Sequence, residues 1–150
     1  MINNIKKILA PVDFSEASMK ALGGAWELAR ETNAELHVLH VVVPHHTFIP
    51  LPLATSAERS LESVREAAMT EQAEEELRRI KKTDMGDSAK VITATTVGPP
   101  VPKIVEYGRD KQVDLIVMAT HGRTGPEHLL IGSVTEKIVR QAPCSVLVLR

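Results

Sequence analysis

The sequence predicts an α/β protein built on an open, five-stranded parallel sheet with helices on both faces. Three observations carry that prediction. Short apolar runs alternate with longer helical stretches along the whole chain. The runs are apolar throughout rather than at every second residue, so neither face of the sheet is wet. Pro, Gly and Asp punctuate the ends of the runs, where a chain leaving a sheet must turn.

The first run, Ile5 to Val12, holds Ile8, Leu9, Ala10 and Val12 and reads as a buried strand. Asp13-Phe14-Ser15-Glu16 follows, with side-chain oxygens suited to starting a helix. That helix reaches Thr32, with Ala21, Leu22, Ala25, Trp26, Leu28 and Ala29 on its apolar face; Trp26 belongs to this packing rather than to a ligand platform. Glu35 to Val43 is a second buried strand, stopped by Pro44. Pro44 to Thr55 is rich in Pro and His and has no period, which makes it a long loop of the kind that tends to carry function. Ala57 to Lys82 is a long charged helix, with Leu61, Val64, Ala68, Leu77 and Ile80 near one face. Its opposed charges mark a solvated surface rather than a binding one. Lys90 to Val97 is the third strand, ended by Gly98-Pro99-Pro100, and Pro102 suits an early turn of the helix carrying Ile104, Val105 and Tyr107. Val113 to Met118 is the fourth and most uniformly apolar strand, Ser133 to Gln141 a helix, and Ser145 to Leu149 the fifth strand. The 150 residues suit a single domain, 1–150, with no repeat or internal boundary.

Charge and cysteine content exclude several classes. A net charge of −1 gives no electrostatic case for nucleic acid or an anionic membrane. No stretch approaches the roughly 20 apolar residues of a membrane helix. Cys144 is the only cysteine, so no internal disulfide is possible and a reducing compartment fits. The apolar run after Lys7 is too short for a signal peptide. The expectation is a cytoplasmic protein with no nucleic-acid or membrane partner.

In open parallel sheets ligands bind beyond the carboxyl ends of the strands, where the strand order reverses. Three such ends stand out: Pro11-Val12-Asp13, His40-Val41-Val42, and Met118-Ala119. The last leads through Gly122 and Gly125 to Gly132-Ser133, which opens a helix. Glycines let backbone N–H groups approach an anion, and a helix N-terminus adds donors and a favourable dipole, so a phosphate suits the setting. No G-x-x-x-x-G-K-[ST] is present, and no G-x-G-x-x-G follows the first strand. Plain turn chemistry also accounts for the glycines. Ser133-Val134-Thr135-Glu136 reads equally as a capping box that satisfies the helix end by itself. Asp13 is open to two roles, helix cap or ligand contact.

Other candidates are weaker. His45 and His46 are adjacent, so their side chains point apart and no third ligand stands nearby; the protein alone offers no metal site. His121 and His128 are not at helical ligand spacing. Cys144 begins a buried strand and reads as an inert apolar thiol. No Ser/His/Asp order or carboxylate pair points to a dedicated catalyst.

The run Leu115-Ile116-Val117-Met118-Ala119-Thr120-His121-Gly122-Arg123-Thr124-Gly125, with Gly132-Ser133-Val134-Thr135-Glu136 and Ala142-Pro143-Cys144-Ser145-Val146-Leu147-Val148, closely resembles the universal stress protein family. Ile8-Leu9-Ala10-Pro11-Val12-Asp13-Phe14-Ser15 and Leu39-His40-Val41 extend the resemblance over the chain in the right order; only the Pro44–Thr55 loop departs from it. The resemblance implies a Rossmann-like, adenine nucleotide alpha hydrolase-like sheet of strand order 3-2-1-4-5. The family's ATP-binding branch carries G-2x-G-9x-G-[ST]. Here Gly122, nine residues and Gly132-Ser133 complete that pattern, while Ala119 replaces its first glycine.

Carried over by position, the resemblance places Pro11, Val12 and Asp13 at the first strand end, with Asp13 toward the adenine or ribose. Val41 offers backbone groups to the adenine edge. Met118 and Ala119 line the ribose side, and His121, Gly122, Arg123, Gly132, Ser133, Val134 and Thr135 surround the phosphates. The implied ligand is ATP or another adenine nucleotide, with Mg held through the phosphates. In the family's topology the apolar fifth strand, Ser145–Leu149, lies at the sheet edge, and the resemblance implies a homodimer joined there. The expected function is a regulatory ATP-binding protein of the stress response. Occupancy would set the loops around Pro44–Thr55 and Arg123–Leu130 for an unidentified protein partner, with any ATP hydrolysis slow. Two other readings stand beside it: a nucleotide-independent interaction protein of the same family, and an adenylyl-transferring enzyme of similar fold, which requires a second substrate pocket.

Overall fold

A computed structural model of the chain describes residues 4–44, 53, 55–122 and 131–150. Its elements are β1 (Lys7–Pro11), α1 (Glu16–Thr32), β2 (Glu35–Val42), α2 (Ser56–Asp84), β3 (Val91–Val97), α3 (Pro100–Asp110), β4 (Leu115–Ala119), α4 (Ser133–Gln141) and β5 (Ser145–Leu149). The five strands form one parallel sheet in the order β3-β2-β1-β4-β5. Both the fold class and the strand order are those expected. The order reverses between β1 and β4, which places a crevice at their carboxyl ends.

Alternation along each strand divides the core in two. Ile8, Ala10, Leu36, Val38, Leu115 and Val117 face α1 and α2, packing against Leu22, Ala25, Leu77 and Ile80. Leu9, Leu39, Ile116 and Met118 face the other way, onto Ile104, Val105 and Ile138 of α3 and α4. Because both faces are covered, the central strands are apolar throughout. One polar cluster interrupts the second face. His37, only 3% exposed, has Nδ1 2.9 Å from the Tyr107 hydroxyl and Nε2 2.7 Å from Glu35 Oε1, tying α3 to β2. Burial, and then the Glu35 charge, push the Tyr107 hydroxyl above its ordinary pKa.

Local chemistry sets the helix ends. Ser15 caps α1 by accepting from the Ser18 N–H, and Asn33 at φ 57° closes it by donating to the Ala29 and Arg30 carbonyls. Asp13 is therefore not the cap of α1. Thr55 and Glu58 form a reciprocal capping box at α2, and the Thr55 N–H holds the Glu58 carboxyl below its ordinary pKa. Pro100 opens α3, where its missing N–H is an orphan anyway.

Several boundaries differ from expectation by one or two residues, as helix and strand ends commonly do. The larger correction concerns α2. Only Ala73, Leu77 and Ile80, in its C-terminal half, are buried. Leu61 is 50% exposed and Val64 65% exposed; they lie roughly 100–160° around the helix from Leu77 and Ile80, away from the buried side. At 29 residues, α2 reaches about 43 Å, whereas the seven residues of β3 span about 23 Å.

Candidate functional site

Three strand ends and one helix start converge at the crevice. β1 ends at Pro11, and Val12 continues with its side chain in the core, its N–H donating to the Leu39 carbonyl at 2.8 Å. Asp13 follows, held by a tight local network. Its N–H donates to Ser18 Oγ at 3.3 Å, and its Oδ1 accepts from the Ser15 N–H at 3.0 Å. This is an Asx turn in front of the capped helix. Phe14 makes the turn at φ 62°, in the left-handed region that non-glycine residues seldom occupy. Its ring stacks on His40, with centroids 4.4 Å apart and planes at 26°.

On the far side of the crevice, β4 runs to Ala119. Met118 and Ala119 are both buried, and the Met118 side chain belongs to the core beneath α3 and α4, so it offers the site backbone only. Ala119 has no positive φ, and as an ordinary strand residue it tolerates a methyl where the family pattern has glycine. Its carbonyl accepts from the buried Thr135 hydroxyl at 2.9 Å. The Thr135 side chain thus pins the first turn of α4 to the end of β4, leaving its backbone N–H as the group it can offer a ligand. Thr120 donates its N–H to the Leu149 carbonyl at 3.1 Å and accepts from the Gly132 N–H at 2.6 Å. Its hydroxyl lies 3.0 Å from His121 Nδ1.

Gly122 and Gly132 are small for want of space, not for backbone freedom. A Cβ at Gly122 would lie 2.2 Å from Asp13 Oδ2. A Cβ at Gly132 would lie 3.2 Å from the His121 Cα and 3.3 Å from the Thr120 oxygen. The first contact seats the β1 end against the β4 end across the switch point. The second seats the start of α4 against the segment that leaves β4.

α4 begins at Ser133 as expected, but the alternative reading of its first turn as a capping box does not hold. Gly132 is the N-cap and no side chain caps the helix. The Glu136 side chain turns instead to Arg140, at 3.0 Å one turn on. Ser133 and Val134 are exposed, so the first-turn N–H groups face the crevice side without a side-chain cap. Such an end carries positive character and suits an anion.

Val41 lies at the end of β2. The Leu39 carbonyl points toward β1, where it accepts from Val12, and Val41, two residues on, points the same way beyond the end of β1. Pro11, Val12, Asp13, Val41, Ala119, His121, Gly122, Gly132, Ser133, Val134 and Thr135 therefore share one end of the sheet. Arg123, His45, His46, His128 and most of the Pro44–Thr55 loop lie outside the described residues. Among the described residues, no cluster of three or more metal-ligating side chains occurs and no helix is long and apolar enough to cross a membrane. Cys144 precedes β5 and is half-buried rather than fully buried; burial, followed by the Asp114 charge, raises its thiol pKa.

The sequence assigns no role in the site to Phe14, Ser15 or Ser18, and marks His40 only as part of the second strand's end. The Asp-x-Ser spacing of an Asx turn was a usable signal for Ser15. A phenylalanine at positive φ has none, since its side chain disfavours that conformation.

The universal stress protein family model matches residues 4–150. Universal stress protein MJ0531 of Methanocaldococcus jannaschii is 38% identical over 148 residues, covering 99% of this chain and 84% of its own length. Among solved structures, universal stress protein UspA from Lactobacillus plantarum matches with a TM-score of 0.84 at 30% identity, covering 98% of this chain and 99% of that one. Protein MJ0577, from the same Methanocaldococcus jannaschii, matches with a TM-score of 0.82 at 33% identity, covering 97% and 95%.

Proposed function

The chain belongs to the universal stress protein family, and from that premise we propose that it binds ATP, or another adenine nucleotide, as a regulatory module acting as a single domain over residues 1–150. The observation that carries the reading is the cradle at the switch point. The uncapped first turn of α4 stands beside Gly122 and Gly132, where an added Cβ would meet Asp13 or His121. The N–H groups of Ser133, Val134 and Thr135 supply donors and positive character for phosphates, and the dipole of α4 adds to them. Asp13 stands by the ribose or base, and Val41 presents backbone to the adenine edge. Mg would be held through the phosphates.

In this reading the protein works in the cytoplasm as a homodimer joined through β5, whose Leu147 is 39% exposed on the edge strand. Nucleotide occupancy is passed to a protein partner through the segments around the crevice, and any hydrolysis is slow.

One Trp and one Tyr make absorbance at 280 nm weak, so a co-purifying nucleotide would dominate near 260 nm. Extraction and mass measurement should identify ATP or a relative, and ATP with Mg should raise the melting temperature. At a hundredfold excess over Kd the gain is about 2.7 kcal/mol. No extractable nucleotide together with an unmoved melting temperature would sink the proposal and favour the nucleotide-independent interaction protein. Rapid multiple turnover would favour an enzyme.

A further inference from the structure

The β1–β2 ladder stops one rung early, and a side chain stands at the carbonyl the next rung would use. Its last pair is Pro11 with Leu39, and the final bond runs from the Val12 N–H to the Leu39 carbonyl at 2.8 Å. In a regular parallel ladder the next bond would run from the Val41 N–H to the Val12 carbonyl. Among the described residues that bond is not made, and neither Val12 nor Asp13 is part of the strand. The Val12 carbonyl instead lies 2.8 Å from Nδ1 of His40. A carbonyl can only accept, so Nδ1 carries the proton and donates. The ring is held from its face as well, by the stack on Phe14 at 4.4 Å. Phe14 in turn is the left-handed residue that turns the chain out of the ladder toward α1.

We infer that His40 is a positioning residue for base recognition: its imidazole takes the Val12 carbonyl and so keeps the Val41 N–H out of the ladder, available to an acceptor on the edge of an adenine. This rests on the nucleotide reading of the crevice and deepens it. It divides the site into a base end, set by His40 through Val12 and Val41, and a phosphate end, set by Gly122, Gly132 and α4. Removing the imidazole donor lets the Val41 N–H close the missing rung, which costs base contacts and leaves the phosphate end untouched.

The test compares wild type with His40→Phe, which keeps the stack and loses the donor, and His40→Asn, whose amide N–H stands in for Nδ1–H. The first measurement needs no ligand. Amide exchange at Val41 should be fast in wild type and in His40→Asn, and slower in His40→Phe by roughly tenfold, the worth of one hydrogen bond. The second titrates ATP and inorganic tripolyphosphate. His40→Phe should lose roughly tenfold in ATP affinity with tripolyphosphate unchanged, and His40→Asn should stay within about threefold of wild type for both. A purely structural role would weaken both ligands together. Equal Val41 protection in wild type and His40→Phe, or an unchanged ratio of ATP to tripolyphosphate affinity, overturns the role of His40. Wild type that binds neither ligand overturns the nucleotide reading beneath it. Should His40→Phe not fold, His40→Leu takes its place against the same two readouts.

Discussion

Substituting Gly122 by alanine puts a methyl where the Asp13 carboxylate now stands. The added Cβ would lie 2.2 Å from Oδ2 and 3.3 Å from Cγ. An ordinary close C···O approach is about 3.3 Å, so roughly 1 Å must be found. Gly122 has no positive φ, so backbone strain contributes nothing and the whole cost falls on this contact. The carboxylate cannot swing aside freely, because Oδ1 accepts from the Ser15 N–H at 3.0 Å, at the cap of α1. A hydrogen bond to a charged group is worth about 1.5–3 kcal/mol, less where partly exposed, so Gly122→Ala should cost about 1–2 kcal/mol. For a chain of this size that is roughly 2–8 °C in melting temperature. The assay is a double-mutant cycle in urea over wild type, Gly122→Ala, Asp13→Ala and the double variant. With Asp13 truncated the obstacle is gone, and the alanine should then cost less than about 0.5 kcal/mol. An equal cost in both backgrounds would refute the claim that Asp13 is what Gly122 makes room for.

Adjacent glycines in α1 should respond differently to the same change. Nothing lies within 4 Å of a Cβ at Gly23, so Gly23→Ala should stabilise by about 0.8–1 kcal/mol through helix propensity alone. At Gly24 the Cβ would meet Leu149 Cδ1 at 2.6 Å, so Gly24→Ala should gain clearly less, or lose; identical melting temperatures for the two variants would contradict this. The Cys144 thiol, raised by burial, should react with a disulfide reagent more slowly than an unfolded thiol near its ordinary pKa of 9.0. The sign follows from protonation: a raised pKa leaves less thiolate, the reactive form, at a given pH. The folded rate should climb as pH passes above 9.0 and should rise at fixed pH once urea unfolds the chain; a folded rate equal to the unfolded one would show that the thiol is not shielded.

Much of the fold was legible before any coordinates, because parallel sheets leave a one-dimensional trace. Buried strands such as Ile8-Leu9-Ala10 and Leu115–Met118 must be apolar on both faces, and helices must alternate with them to cover those faces. Those constraints act within each segment and can be read within it. The apolar residues of α2 do not form one face: Leu61 and Val64 lie roughly 100–160° around the helix from Leu77 and Ile80, and only the latter pair meets the sheet.

The candidate site divides in the same way. The strand ends, the glycine segment and the likeness to a known family were all visible in the residue order, and they located the crevice. What tertiary structure alone decided is how each residue is used there. It gave the cap of α1 to Ser15, leaving the Asp13 carboxylate against Gly122. It denied Ser133 its capping box, turned the Thr135 hydroxyl inward to Ala119, and set His40 in the place of a missing rung. A sequence determines which groups can donate, accept or fit. Which of several competent partners each one meets depends on distances of a few tenths of an ångström between segments far apart in the chain, and those exist only once the chain has folded.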